Sequence, residues 1–249
     1  MYMKKAVNIL CLALFTLGIG TSAQAQFRQS IFLNGNLPTG SFASDINTDR
    51  IQLVTGSNVP LGYTEIGKDA SIGFGAGYRA SYRFDVGMGM VAPFAQADFY
   101  WNTISGDLSE EYTQARAKST PTYFNIPIQV GVSYLYDELW NDITPYAEFG
   151  LGADLMFITQ EGPFTINQIE YGKYNYNPST AFSFSIGLGA YFGNHVSAGL
   201  YYYGFGKHTI EYTSGTVENL NALERAAYES GDVQTRTAGS LALRIGFHF

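Results

Sequence analysis

The sequence predicts an all-β fold, an eight-stranded antiparallel up-and-down transmembrane β-barrel, and three observations predict it. Charged residues make up only 14% of the 249 residues while aromatic residues reach 16%, with 19 Tyr, 18 Phe and 28 Gly; typical soluble domains carry roughly 25% charge. Apolar residues alternate with small or polar ones in segment after segment, the period-two pattern of a strand with one face in lipid and the other in a lumen. No segment beyond the N-terminus is a continuous apolar run of helix-spanning length, so a membrane protein built from this chain must span with strands. A secreted β-sandwich would share the composition, but its strands are rarely as long as the alternating segments found here.

Residues 1–25 read as a secretory signal peptide: Lys4 and Lys5 give a positive start, an apolar run covers Ile9 to Ile19, and Ala23-Gln24-Ala25 supplies a small-x-small cleavage pattern. The run is short for a membrane span of about 20 apolar residues; an uncleaved anchor is the alternative. The only cysteine, Cys11, lies inside the run instead of ending it, so lipidation is not expected. Residues 26–249 then form the barrel domain, without a cysteine and so without a disulfide framework or a Cys metal site. Loss of Lys4 and Lys5 takes the formal charge from -7 to -9. No nucleic-acid partner is expected for so acidic a chain, because phosphate binding needs a basic face.

The strands follow in order. The first, about Phe27 to Asn36, alternates imperfectly. Between Ser71 and Phe84, Ile72, Phe74, Ala76, Tyr78, Ala80, Tyr82 and Phe84 oppose Gly73, Gly75, Gly77, Arg79, Ser81 and Arg83. A third, less clean segment runs from about Met88 to Trp101. The fourth is the clearest: Phe124, Ile126, Ile128, Val130, Val132, Tyr134 and Tyr136 oppose Tyr123, Asn125, Pro127, Gln129, Gly131 and Ser133, an apolar band closed at one end by an aromatic girdle. In the fifth, Ala147, Phe149, Leu151, Ala153 and Leu155 oppose Tyr146, Glu148, Gly150, Gly152 and Asp154. In the sixth, Phe184, Ile186, Leu188 and Ala190 oppose Ser183, Ser185, Gly187 and Gly189. The seventh, about Val196 to Tyr212, is irregular. The eighth sets Leu241, Leu243, Ile245, Phe247 and Phe249 against Ala242, Arg244, Gly246 and His248.

The connections support the count. Short ones around Asp85 to Gly87, Asp137 to Asp142 and Gly193 to Asn194 alternate with long ones at Leu37 to Ala70, Asn102 to Thr120, Thr159 to Thr180 and Thr213 to Thr235. Short periplasmic turns and long extracellular loops are the rule for outer-membrane barrels, and an even strand number puts both termini in the periplasm. Asn219 to Glu229 could form a short solvated helix in the last loop.

An eight-stranded barrel is just wide enough for side chains to fill. The inferred inward face carries Arg79, Arg83 and Arg244 with Asp98, Glu148 and Asp154. Counted from the short turns, Arg79, Glu148 and Arg244 share a depth. Buried charges are costly unless paired, so a charge network across the lumen is expected instead of an open channel. Inward glycines such as Gly73, Gly75, Gly77, Gly150, Gly152, Gly187 and Gly189 leave room for water or for tight coiling.

The C-terminal Ile245, Phe247 and Phe249 resemble the signal read by barrel-assembly machinery, which is an expected partner beside outer-membrane lipid and lipopolysaccharide. The chain also resembles the outer-membrane β-barrel family abundant in Bacteroides-type bacteria, including PorT-like proteins and OmpA-like eight-stranded barrels. The resemblance rests on Tyr123-Phe124-Asn125-Ile126-Pro127-Ile128, on Thr144-Pro145-Tyr146 leading into Gly150-Leu151-Gly152, and on Leu243-Arg244-Ile245-Gly246-Phe247-His248-Phe249. It implies an outer-membrane barrel and no single activity, since one fold hosts many functions.

Candidate chemistry is sparse. His195-Val196-Ser197 is the only His-x-Ser, a pairing that can activate a hydroxyl, but it follows a short turn at the periplasmic rim. His208, with Lys207, Thr209 and Glu211 around it, lies toward the extracellular end of its strand; no acyltransferase or protease constellation surrounds it. His248 faces inward near Arg244 and reads as structural. The run Gly73-Phe74-Gly75-Ala76-Gly77 keeps strand period and opens no helix, so it is no nucleotide loop. Asp45, Asp49, Glu65, Asp69, Glu110 and Glu111 lack EF-hand spacing and read as solvated loop residues, with calcium or surface-cation binding as the alternative. The expectation is a non-enzymatic outer-membrane scaffold without a cofactor, meeting protein or other partners at its extracellular loops or periplasmic turns. The alternatives are a narrow small-solute pore, an accessory component of a secretion system and a lipid-A-modifying enzyme.

Overall fold

The computed structural model describes residues 26–44, 67–105, 119–136, 142–160, 164–166, 169–171, 175–213 and 234–249. Eight long strands form one closed antiparallel barrel: β1 (Gln26–Thr39), β2 (Gly73–Asp85), β3 (Gly89–Thr103), β4 (Thr122–Tyr136), β5 (Ile143–Ile158), β6 (Ser179–Phe192), β7 (Val196–Ile210) and β8 (Gln234–His248). Each strand pairs with its neighbours in sequence, and β1 closes on β8 from Ser30↔His248 to Thr39↔Gly239. The signal-peptide segment lies outside the described residues, as do Asn219 to Glu229 and the carboxylates Asp45, Asp49, Glu65, Glu110 and Glu111. The two terminal strands are longer than alternation alone suggests: β1 runs on to Thr39, and β8 begins at Gln234, well before Leu241.

The strands are 13 to 16 residues long, more than the roughly 9–11 residues that cross a bilayer. Their outward positions are the apolar ones. Leu33, Phe74, Val130, Leu188, Leu200 and Leu243 are all more than half exposed, and every strand adds further apolar residues to this ring. Water-soluble monomers rarely expose apolar patches beyond a few hundred Å², whereas hydrocarbon would cover such a ring at no cost. No helix among the described residues is long and apolar enough to cross a membrane.

At one end, the turn end, β2 joins β3 through Val86-Gly87-Met88. The Val86 N–H donates to the Gly89 carbonyl at 3.0 Å, and the Asp85 side chain accepts from the Gly87 N–H at 2.7 Å. At the other, the loop end, the chain leaving β1 folds across the mouth as a 3-10 turn over Gly40–Phe42. Phe42 is fully buried there, edge-on to Tyr123 with ring centroids 5.3 Å apart. The Tyr123 hydroxyl donates to the Lys68 carbonyl at 2.8 Å, tying the far side of the same connection to the rim. Two small ribbons lie at this end, Phe164–Ile166 with Ile169–Tyr171, and Asn175–Tyr176 with Tyr212–Thr213.

One irregularity sets the interior. In β7 the pairing with β8 steps from Gly204↔Gly239 to Gly206↔Ala238, so Phe205 is an extra residue in the ladder. Gly206 has φ +88, and a Cβ there would lie 2.1 Å from the Phe182 carbonyl oxygen, so the position requires glycine. Below the bulge Tyr201 and Tyr203 face the lumen; above it the phase inverts and His208 and Ile210 face inward.

Candidate functional site

The site is the lumen itself. Alternation sends one residue in two inward, and antiparallel register brings those residues to common depths. Arg79 on β2 and Glu148 on β5 form a two-pronged ion pair across the barrel. Arg79 Nη1 donates to Glu148 Oε2 at 2.7 Å, and Arg79 Nη2 meets Oε1 more closely still. Glu148 Oε2 also accepts from the Ser133 hydroxyl of β4 at 3.1 Å. Arg244 on β8 donates from Nη2 to Asp98 Oδ1 of β3 at 2.6 Å and from Nε to Asn34 Oδ1 of β1 at 3.1 Å, and its Nη1 lies 3.8 Å from Glu148 Oε1.

Gln96 joins the two pairs. Its Oε1 accepts from Arg79 Nε at 3.0 Å and from Arg244 Nη1 at 3.4 Å, while its Nε2 donates to Gln129 Oε1 at 3.1 Å. Gln129 continues to β6, donating to Ser183 Oγ at 3.2 Å and accepting from Ser185 Oγ at 2.8 Å. Aromatic rings pack against both guanidiniums. The Arg79 guanidinium lies 4.0 Å from the Phe94 ring centre, and that of Arg244 lies 4.1 Å from Phe32 and 4.6 Å from Tyr201. All eight strands thus contribute a side chain to one cross-section, and none of its four charged residues is more than 6% exposed.

The inward glycines are occupied space. A Cβ on Gly187 would sit 2.2 Å from the Tyr201 ring, and one on Gly189 would sit 2.5 Å from the Tyr146 hydroxyl oxygen. Large rings on one strand lie against bare backbone on the next, and Tyr201 donates its hydroxyl to that of Tyr146 at 2.7 Å.

Of the six lumen charges singled out in the sequence, Arg79, Asp98, Glu148 and Arg244 come together. Arg83 and Asp154 do not join them, and depth is the reason. Arg83 is four residues nearer the turn end than Arg79, and its guanidinium stacks over Tyr191 at 4.7 Å. Asp154 is six residues nearer the loop end than Glu148 and meets His208, whose Nε2 lies 3.0 Å from Asp154 Oδ2. Gln96, Gln129 and Asn34 were missed as site residues. Their inward parity was the available signal, but neutral amides carry no charge to mark them. Of the closing residues, Ile245, Phe247 and Phe249 all point outward and are 44–59% exposed.

The histidines are placed differently from one another. His195 does not pair with Ser197: its Nδ1 lies 3.1 Å from the His248 carbonyl oxygen. His248 instead bridges two strands, with Nδ1 at 2.6 Å from Ser30 Oγ and Nε2 at 2.8 Å from Ser197 Oγ. Among the described residues no group of three or more His, Cys, Asp and Glu side chains gathers as a metal-binding cluster.

No protein-family model and no curated protein matches the chain. Solved structures with a similar fold include Neisserial surface protein A, at 12% identity and TM-score 0.41 over 91% of this chain and 98% of that one. The outer-membrane protein OprG from Pseudomonas aeruginosa is similar at 11% identity and TM-score 0.39, covering 92% and 98%. A major outer-membrane protein from Thermus thermophilus is similar at 12% identity and TM-score 0.43, covering 90% and 100%.

Proposed function

We propose that this chain is an integral outer-membrane barrel with a sealed lumen, acting as a non-enzymatic anchored scaffold whose long connections at the loop end meet ligands or partners outside the cell. The apolar outer ring supports membrane integration. One observation carries the scaffold reading over a pore: the Arg79–Glu148 and Arg244–Asp98 pairs, linked by Gln96 and packed against Phe32, Phe94 and Tyr201, fill the barrel's middle. A solute path would have to break them. Binding by connections on a rigid barrel is physically economical, since the connections vary while the framework stays fixed.

Two measurements test the reading. Purified protein in planar bilayers is expected to show no large, steady conductance; a steady open level that Glu148→Gln leaves unchanged would defeat the sealed lumen. Fractionated outer membranes are expected to contain the protein in a form whose gel migration shifts on heating. Recovery in the detergent-free soluble fraction would instead make it a secreted protein. A pull-down from detergent-solubilised outer membranes would name the partner.

A further inference from the structure

We infer that the loop end of the lumen binds a divalent transition-metal cation between Asp154, His208 and the Phe205 carbonyl. Asp154 is fully buried, and neither of its carboxylate oxygens accepts a well-formed hydrogen bond. The other two inward carboxylates of the described lumen, Asp98 and Glu148, are each held by an arginine; Asp154 has instead the His208 ring, with Nε2 3.0 Å from Oδ2. That same Nε2 lies 2.9 Å from the Phe205 carbonyl oxygen. In the neutral ring with its proton on Nε2, that proton goes to the carbonyl and an ionised Asp154 has no counter-charge; a further proton on the Asp154–His208 pair or a cation must supply one. Water could donate to such a carboxylate but could not neutralise it.

A cation supplies that charge and binds all three donors at once, whereas one Nε2 proton has to be shared between the carboxylate and the carbonyl. Oxygen and nitrogen donors about 3 Å apart are the spacing of neighbouring ligands around an ion with bonds of about 2.1 Å. A carboxylate, an imidazole and a carbonyl suit first-row divalent ions such as Zn²⁺ and Mn²⁺. With Nε2 on the ion, Nδ1–H points to Ser179 Oγ at 3.3 Å, which also accepts the Thr209 N–H at 3.1 Å. This is the outer support that ligating histidines usually have. A second unsatisfied residue lies beside the cluster. Asn125 is fully buried, and neither its amide oxygen nor its amide nitrogen has a partner. It pairs with Met156, so it is one cross-strand diagonal from Asp154, which pairs with Pro127. The bulge at Phe205 builds the site, because it turns His208 inward above the extra residue.

The test uses the full barrel, purified in detergent, stripped with a chelator, equilibrated with Zn²⁺ and dialysed, with bound metal counted by elemental analysis. The expected result is one zinc per chain, lost in Asp154→Asn and in His208→Gln and kept in His195→Gln. Ser179→Ala is expected to weaken zinc affinity roughly 10–100-fold. Absence of bound zinc in wild-type protein that still shifts its gel migration on heating overturns the inference, and so does full retention in His208→Gln. Should Asp154→Asn fail to assemble, Co²⁺ added to the wild type decides: visible absorption bands from a nitrogen-containing site support the inference, and the spectrum of aqueous Co²⁺ overturns it. A bound ion at the loop end is compatible with a sealed or a conducting middle, so its loss leaves the scaffold reading standing.

Discussion

Arg244→Met is the sharpest test of whether the lumen is dry. The side chain is fully buried and donates three hydrogen bonds, to Asp98 Oδ1, Asn34 Oδ1 and Gln96 Oε1. Methionine keeps much of the bulk against Phe32 and Tyr201 but strands Asp98 as an uncompensated buried charge. Breaking a buried pair in this way costs about 3–5 kcal/mol, whereas a solvated pair is worth about 0–1 kcal/mol. The two environments therefore predict separate results. Unfolding of the barrel by urea in detergent micelles, followed by the fluorescence of the two tryptophans, Trp101 on the outer face and Trp140, reads the difference. With a slope of about 1–3 kcal/mol/M, the midpoint should fall by roughly 1–5 M. Adding Asp98→Asn to Arg244→Met removes the stranded charge and should recover part of the loss. A midpoint for Arg244→Met that matches wild type, with no recovery in the double variant, would refute the reasoning and mean that water solvates the pair.

Three further predictions concern packing and assembly. Gly187→Val places side-chain atoms against the Tyr201 ring, which already lies 2.2 Å from a Cβ position, and should cost about 1–3 kcal/mol by overpacking, read as a lower urea midpoint. Gly206→Val forces a β-branched residue to φ +88 and into the Phe182 carbonyl; the heat-modifiable form should be lost or appear slowly on refolding, while Gly35→Ala, where nothing lies within 4 Å of the Cβ, should be neutral. Phe249→Ala should lower the amount of folded protein in the outer membrane while leaving refolding into detergent unchanged, because the proposed role of that side chain is recognition by the assembly machinery, it is exposed, and the backbone bonds of the residue to Gln29 are kept.

Parity was the legible part of this protein. Tyr123, Asn125, Gln129 and Ser133 are buried while Ile128, Val130 and Val132 are exposed, as strict alternation requires, and Arg79, Arg83, Asp98, Glu148, Asp154 and Arg244 are all buried. Depth was less legible. It depends on the stagger between strands, which accumulates around the barrel. Asp98 stands opposite Gly77, Gly75 opposite Asn34, and Asn34 opposite Arg244; no local pattern reveals that this ladder ends in an Arg244–Asp98 contact. The phase change in β7 was hidden for another reason. Strict alternation from Tyr201 would turn Lys207 inward and His208 outward, and the inserted Phe205 reverses both. Gly204 and Gly206 on either side were the available warning, since glycine inside a strand often marks a bulge.

The charge pairs also bound how often a sealed lumen could open. Arg79, Glu148 and Arg244 meet within one cross-section, with Arg244 Nη1 3.8 Å from the carboxylate that Arg79 holds. On the proposed sealed-lumen reading, a solute path through that section has to separate at least one arginine from its carboxylate. If the separated charges stay buried, the cost is about 3–5 kcal/mol. At about 1.4 kcal/mol per tenfold change, the open state would hold roughly one molecule in a hundred to one in several thousand. Single-channel recordings of the wild-type protein should therefore show rare, brief openings or none. Glu148→Gln leaves Arg79 and Arg244 facing each other without the anion between them, and it should raise the frequency of openings. A wild-type channel open for most of the record would mean that water, and not the opposing side chain, already solvates each charge. The sealed scaffold would then give way to a narrow pore lined by the same residues.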